Sequence, residues 1–156
     1  MTVRTILDQF TTVIEAMTVN GVNCGLRRAS YRRRLDQMEP NGGSHRRFAI
    51  DAPASRVSRN VVGSSQLPIA FDVNVRVFYF RGGGDAGGGD RKSINAQAGI
   101  DMTRIADALG DIRNWNRQVT AIRDVRFQAS SMVSTRALSE VWESRFMTEA
   151  MYTWPA

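Results

Sequence analysis

Cys24 is the only cysteine of the 156-residue chain, so no internal disulfide can form, and a reducing or cysteine-indifferent compartment fits. Lysine is almost missing too: Lys92 stands alone among 21 basic residues, the other 20 being arginine. His45 is the only histidine. It lies beside Arg46 and Arg47 with no partner motif, which reads as a surface residue and not a metal ligand or base. A nucleophile–base pair would have to join Cys24 or a serine to this one imidazole, and no flanking signature supports it. No run of about 18 apolar residues occurs, so no membrane span is expected. The N-terminal MTVRTILDQFTTVIEAM carries acids inside its apolar pattern and no small-residue cleavage site, so it does not read as a signal peptide. Catalytic residues, cofactors and metals are therefore all read as none.

What is present is an ordinary globular composition, 42% apolar and 23% charged, at a length that predicts one domain spanning 1–156. Charge is unevenly placed. Nine arginines (Arg27, Arg28, Arg32, Arg33, Arg34, Arg46, Arg47, Arg56 and Arg59) face only Asp36, Glu39 and Asp51 between residues 26 and 59. The whole net charge of +6 sits in that segment. A local excess of this kind points to a polyanion such as DNA or to salt bridges with protein, and arginine's planar fork suits both.

The clearest strand is Leu67–Arg81. Phe71, Val73, Val75, Val77 and Tyr79 alternate with Asp72, Asn74 and Arg76, the period of a half-buried strand. Phe78 and Phe80 then make its second face apolar as well. Glu140–Trp154 behaves alike. Trp142, Phe146, Ala150, Tyr152 and Trp154 share one face, while Val141, Met147 and Met151 share the other with Glu143, Arg145 and Glu149. Phe78, Phe80, Met147, Met151, Tyr152 and Trp154 are accordingly the candidate subunit interface, since a free monomer exposing them would associate.

Around these strands lie two helices. Val3, Ile6, Leu7, Phe10, Val13, Ile14 and Met17 keep helical spacing, with Thr2 as cap and Asn20-Gly21 as stop. Ser93–Arg113 is the second helix, with Ser93 as cap. Ile94, Ala98, Met102, Ile105, Leu109 and Ile112 form its inner stripe; Asp101, Asp107, Asp111 and Arg104 lie on its outer face. His45–Asp51 and Val119–Ser130 read as further strands, the latter with Val125, Phe127 and Ala129 on one face. Ala52–Gln66 reads as a polar loop and Ser130–Ser139 as a connection. Residues 22–66 as a whole read as a basic, irregular arm. The glycine run Gly82–Gly89 lacks the Gly-Lys-Ser/Thr of a phosphate loop, and Asp85 and Asp90 would repel phosphate, so it reads as a flexible surface loop. The expected fold is α+β: a mainly antiparallel sheet of about four strands with two amphipathic helices packed on one face.

The order of an amphipathic N-terminal helix, RRFAIDAP, FDVNVRVFYF, a variable loop, an Asp-bearing helix and a closing VWESRFMTEAMYTW resembles the tail terminator (tail completion) proteins of long-tailed phages, and related minor tail and neck proteins. The resemblance covers most of the chain in order and texture; the arginine-rich segment departs from it. It implies a structural virion protein with no catalytic site. Such a protein forms a ring, usually a homohexamer, that caps the tail tube in the neck, contacts the major tail tube protein and the head–tail connector or stopper, and lets DNA pass. Assembly would take place in the host cytoplasm. Another neck subunit, or an Arg-rich nucleic-acid-binding module, is the alternative.

Overall fold

The computed structural model describes residues 3–29, 45–57, 66–82, 89–115 and 122–153. Helix α1 (Val3–Glu15) is followed by β1 (Thr18–Val19), β2 (Val22–Asn23), β3 (Arg27–Arg28), β4 (Arg47–Val57) and β5 (Gln66–Phe80). Helix α2 (Arg91–Gly110), a 3-10 turn at Ile112–Asn114, β6 (Ile122–Thr135) and β7 (Ser139–Thr153) complete it. The class is α+β, as expected. Five strands form the main sheet in the order β3-β4-β5-β7-β6, and β1 and β2 form a separate hairpin. The four long strands are mutually antiparallel, but β3 runs parallel to β4, so the sheet is mixed and larger than expected.

β5 is the central strand because its inner face is wholly apolar. Val73, Val75, Val77 and Tyr79 have no exposed surface. Opposite them β7 places Phe146, Ser144, Trp142 and Glu140 in direct register. Phe48 and Ile50 of β4 pair with Val77 and Val75 and complete that face. Both helices cover it: α1 packs on β3 and β4, α2 on β6 and β7, and the helices touch each other. Ile6, Phe10, Val13, Ile14 and Met17 from α1 meet Ile94, Ala98, Met102, Ile105 and Leu109 from α2 in one core.

Several boundaries differ from the sequence reading, each for a local reason. Asn20 and Gly21 do not end α1, which stops at Glu15. Their backbones, at φ of 52° and 78°, form the two-residue turn between β1 and β2, the left-handed pair that a tight hairpin requires. Asp90, not Ser93, caps α2, accepting from the Ser93 N–H at 2.8 Å. Part of the expected irregular arm is strand. β4 runs on to Val57 through a bulge between Asp51 and Ala54, where Pro53 lacks the N–H that a regular ladder would need. β6 runs on to Thr135 for a similar reason. Its ladder shifts at three places, so simple alternation is lost, and Ala129 ends opposite Arg145, on the other face from Val125 and Phe127. Thr2, residues 30–44 and 58–65, and the glycines between Gly82 and Gly89 lie outside the described residues.

Phe10 has no exposed surface and packs its ring 5.1 Å from that of Trp115. Phe10→Ala is therefore expected to lower unfolding stability by about 3–5 kcal/mol in urea titrations. Val133→Ser, at a position 47% exposed, should stay within about 0.5 kcal/mol of the parent.

Candidate functional site

Charge is buried between the N-terminal half of α2 and the end of β5. Ile94, Ala98, Asp101, Met102 and Ile105 recur on one stripe of the helix, which turns Asp101 inward. Asp101 was expected on the outer face, yet it has no exposed surface. Its carboxylate is fully supplied with donors. Oδ1 accepts from Arg46 Nη2 at 2.8 Å and Gln97 Nε2 at 2.9 Å, and Oδ2 accepts from Arg46 Nε at 3.0 Å and Tyr79 Oη at 2.8 Å. Burial, then the charge of Asp101, pushes the Tyr79 phenol far above its ordinary value, so it stays protonated and remains a donor.

Arg46 reaches this carboxylate from a strained position. Its φ is +59°, a left-handed conformation that favours glycine. Its N–H donates to the Phe78 carbonyl at 2.7 Å, although Arg47 is the register partner of Phe78. Two residues thus oppose one, a bulge that opens β4 and aims the Arg46 guanidinium down at α2. The bidentate pair with Asp101 holds it there.

A second buried carboxylate lies next door, since Glu140 is the register partner of Tyr79. Glu140 also has no exposed surface. Its Oε1 takes Arg81 Nη2 in a short ion pair and lies 3.7 Å from Arg91 Nε. Its Oε2 accepts from Trp142 Nε1 at 3.2 Å, and an Asn95 amide oriented to donate lies 3.2 Å away. Arg81 and Arg91 flank the glycine run, and Gly89 N donates to Gly82 O at 3.0 Å, closing its base. A Cβ on Gly82 would overlap the Phe80 ring, which would have to shift to admit any side chain there.

His45 belongs to the same layer and is half-buried, contrary to the surface position expected for it. Its Nδ1 accepts from the Phe80 N–H at 3.1 Å, and its ring lies edge-on to Tyr79 with centroids 5.9 Å apart. Burial, reinforced by Arg46 and opposed by Asp101, holds the imidazole below its ordinary value. With Nδ1 occupied, the histidine is not poised as a base for Cys24, which is half-buried with Sγ 4.0 Å from Arg104 Nη1. Cys24 and Arg104 border an open cleft of about 440 Å³ between α1, the β1–β2 hairpin and α2, with Asp107 at its rim.

The sequence-predicted basic residues are divided. Arg28 pairs with Asp8 at 3.0 Å, and Arg46 with Asp101. Arg27 is exposed and donates through Nη1 to the Leu26 carbonyl at 3.0 Å and to Asn23 Oδ1 at 3.3 Å. Arg47 stands on β4 opposite Phe78. Arg56 lies in β4, its side chain outside the description, and Arg32, Arg33, Arg34 and Arg59 lie outside the described residues.

The predicted contact residues divide similarly. Phe78 is 2% exposed, packed with Ala29 and Val141, so it is not an available contact surface. Phe80 is half-buried against that cluster, and Met147 is half-buried. Met151 and Tyr152 stand on β7 opposite Pro68 and Leu67, and Trp154 lies outside the described residues. The exposed large apolar residues along the sheet's edge are others: Phe127 and Val133 on β6, and Leu138 in the turn before β7.

No family model and no curated protein sequence matches this chain. Among the described residues no group of three or more His, Cys, Asp or Glu is arranged to hold a metal ion, and no helix is long and apolar enough to cross a membrane.

Removing one partner of the buried pair strands the other. Arg46→Met is expected to lower stability by about 3–5 kcal/mol by leaving Asp101 short of two donors. Arg46→Met combined with Asp101→Leu should cost far less than the sum of the single changes, a non-additivity read from urea midpoints.

Proposed function

We propose that this chain is a structural subunit of a phage tail or neck, a tail terminator (tail completion) protein whose copies form a ring joining the tail tube to the head–tail connector around a passage for DNA. The observation that carries the reading is the one-sided cover of the sheet. Both helices lie on one face. Among the described residues the middle of the other face carries Asp51, Arg76, Glu143 and Arg145, linked by ion pairs, with half-buried Met147 beside them and the small apolar cluster of Ala29, Phe78 and Val141 at one end. At the edge of the sheet the 14-residue strand β6 carries exposed Val133 and, on the helix-covered side against Phe146, half-exposed Phe127, and Leu138 follows. A charged platform bordered by an apolar edge is the kind of surface that neighbouring subunits cover. The proposed partners are other copies of this chain, the major tail tube protein and the connector or stopper, in the neck of the virion.

The second reading, an Arg-rich nucleic-acid-binding module, rests on fewer residues than the composition implied. Arg28 and Arg46 are engaged within the chain. Contact with DNA would fall to exposed Arg27 and to Arg32, Arg33, Arg34, Arg56 and Arg59, whose side chains lie outside the description. If these residues touch phosphates, Arg32→Ala, Arg33→Ala and Arg34→Ala together flatten the log–log salt dependence of DNA binding.

Native mass spectrometry with negative-stain imaging tests the ring. Rings in solution, or attachment to terminator-deficient tails, are expected. Phe127→Asp with Leu138→Glu should abolish both while leaving the circular-dichroism spectrum unchanged. Monomers at high concentration together with no tail attachment would overturn the proposal.

A further inference from the structure

We propose that His45 is a pH-operated latch that holds the end of β5 against β4 at neutral pH and releases it in acid. The argument starts from the ladder. β4 and β5 pair without a break from Asp51 and Asn74 to Arg47 and Phe78. The left-handed Arg46 then turns the chain away, so no β4 carbonyl continues the ladder toward Phe80. The Phe80 N–H points to that side, and the imidazole Nδ1 of His45 accepts it at 3.1 Å in place of a backbone carbonyl. One side chain thus completes the pairing of the central strand at its last residue.

Only the neutral imidazole can do this. Protonation puts a hydrogen on Nδ1, which then faces the Phe80 N–H donor to donor. Among the described residues the charged form finds little compensation, only the opposing charge of Asp101. The groups among the described residues that face it are Arg46 from its own turn, Tyr79 from β5 and Asp101 from α2. Arg46 repels it. Tyr79 spends its hydroxyl on Asp101. Each Asp101 oxygen already accepts two donors. The low imidazole value is the electrostatic counterpart of this geometry.

Linkage fixes the direction. A histidine whose folded value lies below its unfolded one binds more protons when released. The latch therefore contributes fully above an unfolded value of about 6.5, and its contribution falls as pH drops from there toward the folded value. Opening is one-sided. Arg81 N still donates to Leu138 O at 2.7 Å, and Phe80 remains paired with Ser139 on β7. What loosens is the β4 seam beside Phe78, Phe80 and Ala29.

The single histidine makes the test unambiguous. The imidazole is titrated by NMR, and amide-exchange protection of Phe80 and Val75, corrected for intrinsic rates, is followed from about pH 7.5 to about pH 5.5. The imidazole is expected to titrate below its ordinary value. Phe80 protection should fall several-fold while Val75 protection holds. His45→Asn keeps an acceptor that does not titrate in this range and should leave Phe80 protection flat. A histidine titrating at or above its ordinary value, or constant Phe80 protection, overturns the latch. An equal loss in His45→Asn does so too. Should that variant not fold, the parent's titration and exchange decide the matter alone.

Discussion

A carboxylate with no exposed surface must be given its donors before a core can close around it, because an unpaired buried charge costs more than most single contacts return. Asp101 imposes that condition here. Its four hydrogen bonds draw on β5 through Tyr79, on α2 through Gln97 and on the turn before β4 through Arg46. Three separate segments are thereby fixed at one point. The apolar core could tolerate small slips of α2 over the sheet. The carboxylate cannot, since each of its bonds has a direction and a length.

Glu140 repeats the arrangement one residue pair away. Tyr79 and Glu140 are cross-strand neighbours, so the two buried carboxylates belong to one polar layer. That layer runs under the first three turns of α2, from Arg91 through Asn95 and Gln97 to Asp101. At Asp101 it uses a geometry particular to arginine. Arg46 meets Asp101 with two parallel bonds, and Arg81 divides its Nη2 between Glu140 and Thr135. A lysine point charge offers no such fork. It also bears on the glycine run, since Arg81 before it pairs with Glu140 and Arg91 after it comes within 3.7 Å of the same carboxylate.

The elements legible in the sequence were those with an unbroken period. α1, β5 and β7 alternate cleanly, and the structure places their apolar faces on the core as the spacing requires. β6 and the second half of β4 were not legible because bulges break the period. Val125, Phe127 and Ala129 alternate on paper, yet the extra residue at 128 sends Ala129 to the opposite face. Polar Ser130–Thr135 then reads as a connection when it is strand. The polar layer was missed for another reason. Asp101 falls on the buried stripe of α2 by simple counting, three residues after Ala98, but a carboxylate there is legible only when its partners are known. Gln97 stands one helical turn before it, but Arg46 and Tyr79 come from segments that no local pattern joins to α2. His45 was read as exposed because its neighbours are basic. One of those neighbours, Arg46, is itself turned inward.

The bulges of β6 also constrain what can meet that edge. A long, flat, apolar edge strand invites indiscriminate pairing, and bulges are one of the ways by which proteins prevent it. β6 carries three in 14 residues. One of them pushes Val133 outward, 47% exposed, instead of letting it alternate into either face. A neighbour in the proposed ring would therefore meet an irregular ladder with side chains set at fixed points. Simple strand addition is disfavoured, and a partner shaped to Phe127, Val133 and Leu138 is favoured. For the proposed ring that distinction matters, because strand addition has no intrinsic end, whereas docking on a few shaped contacts fixes the rotation between neighbours and so lets a ring close.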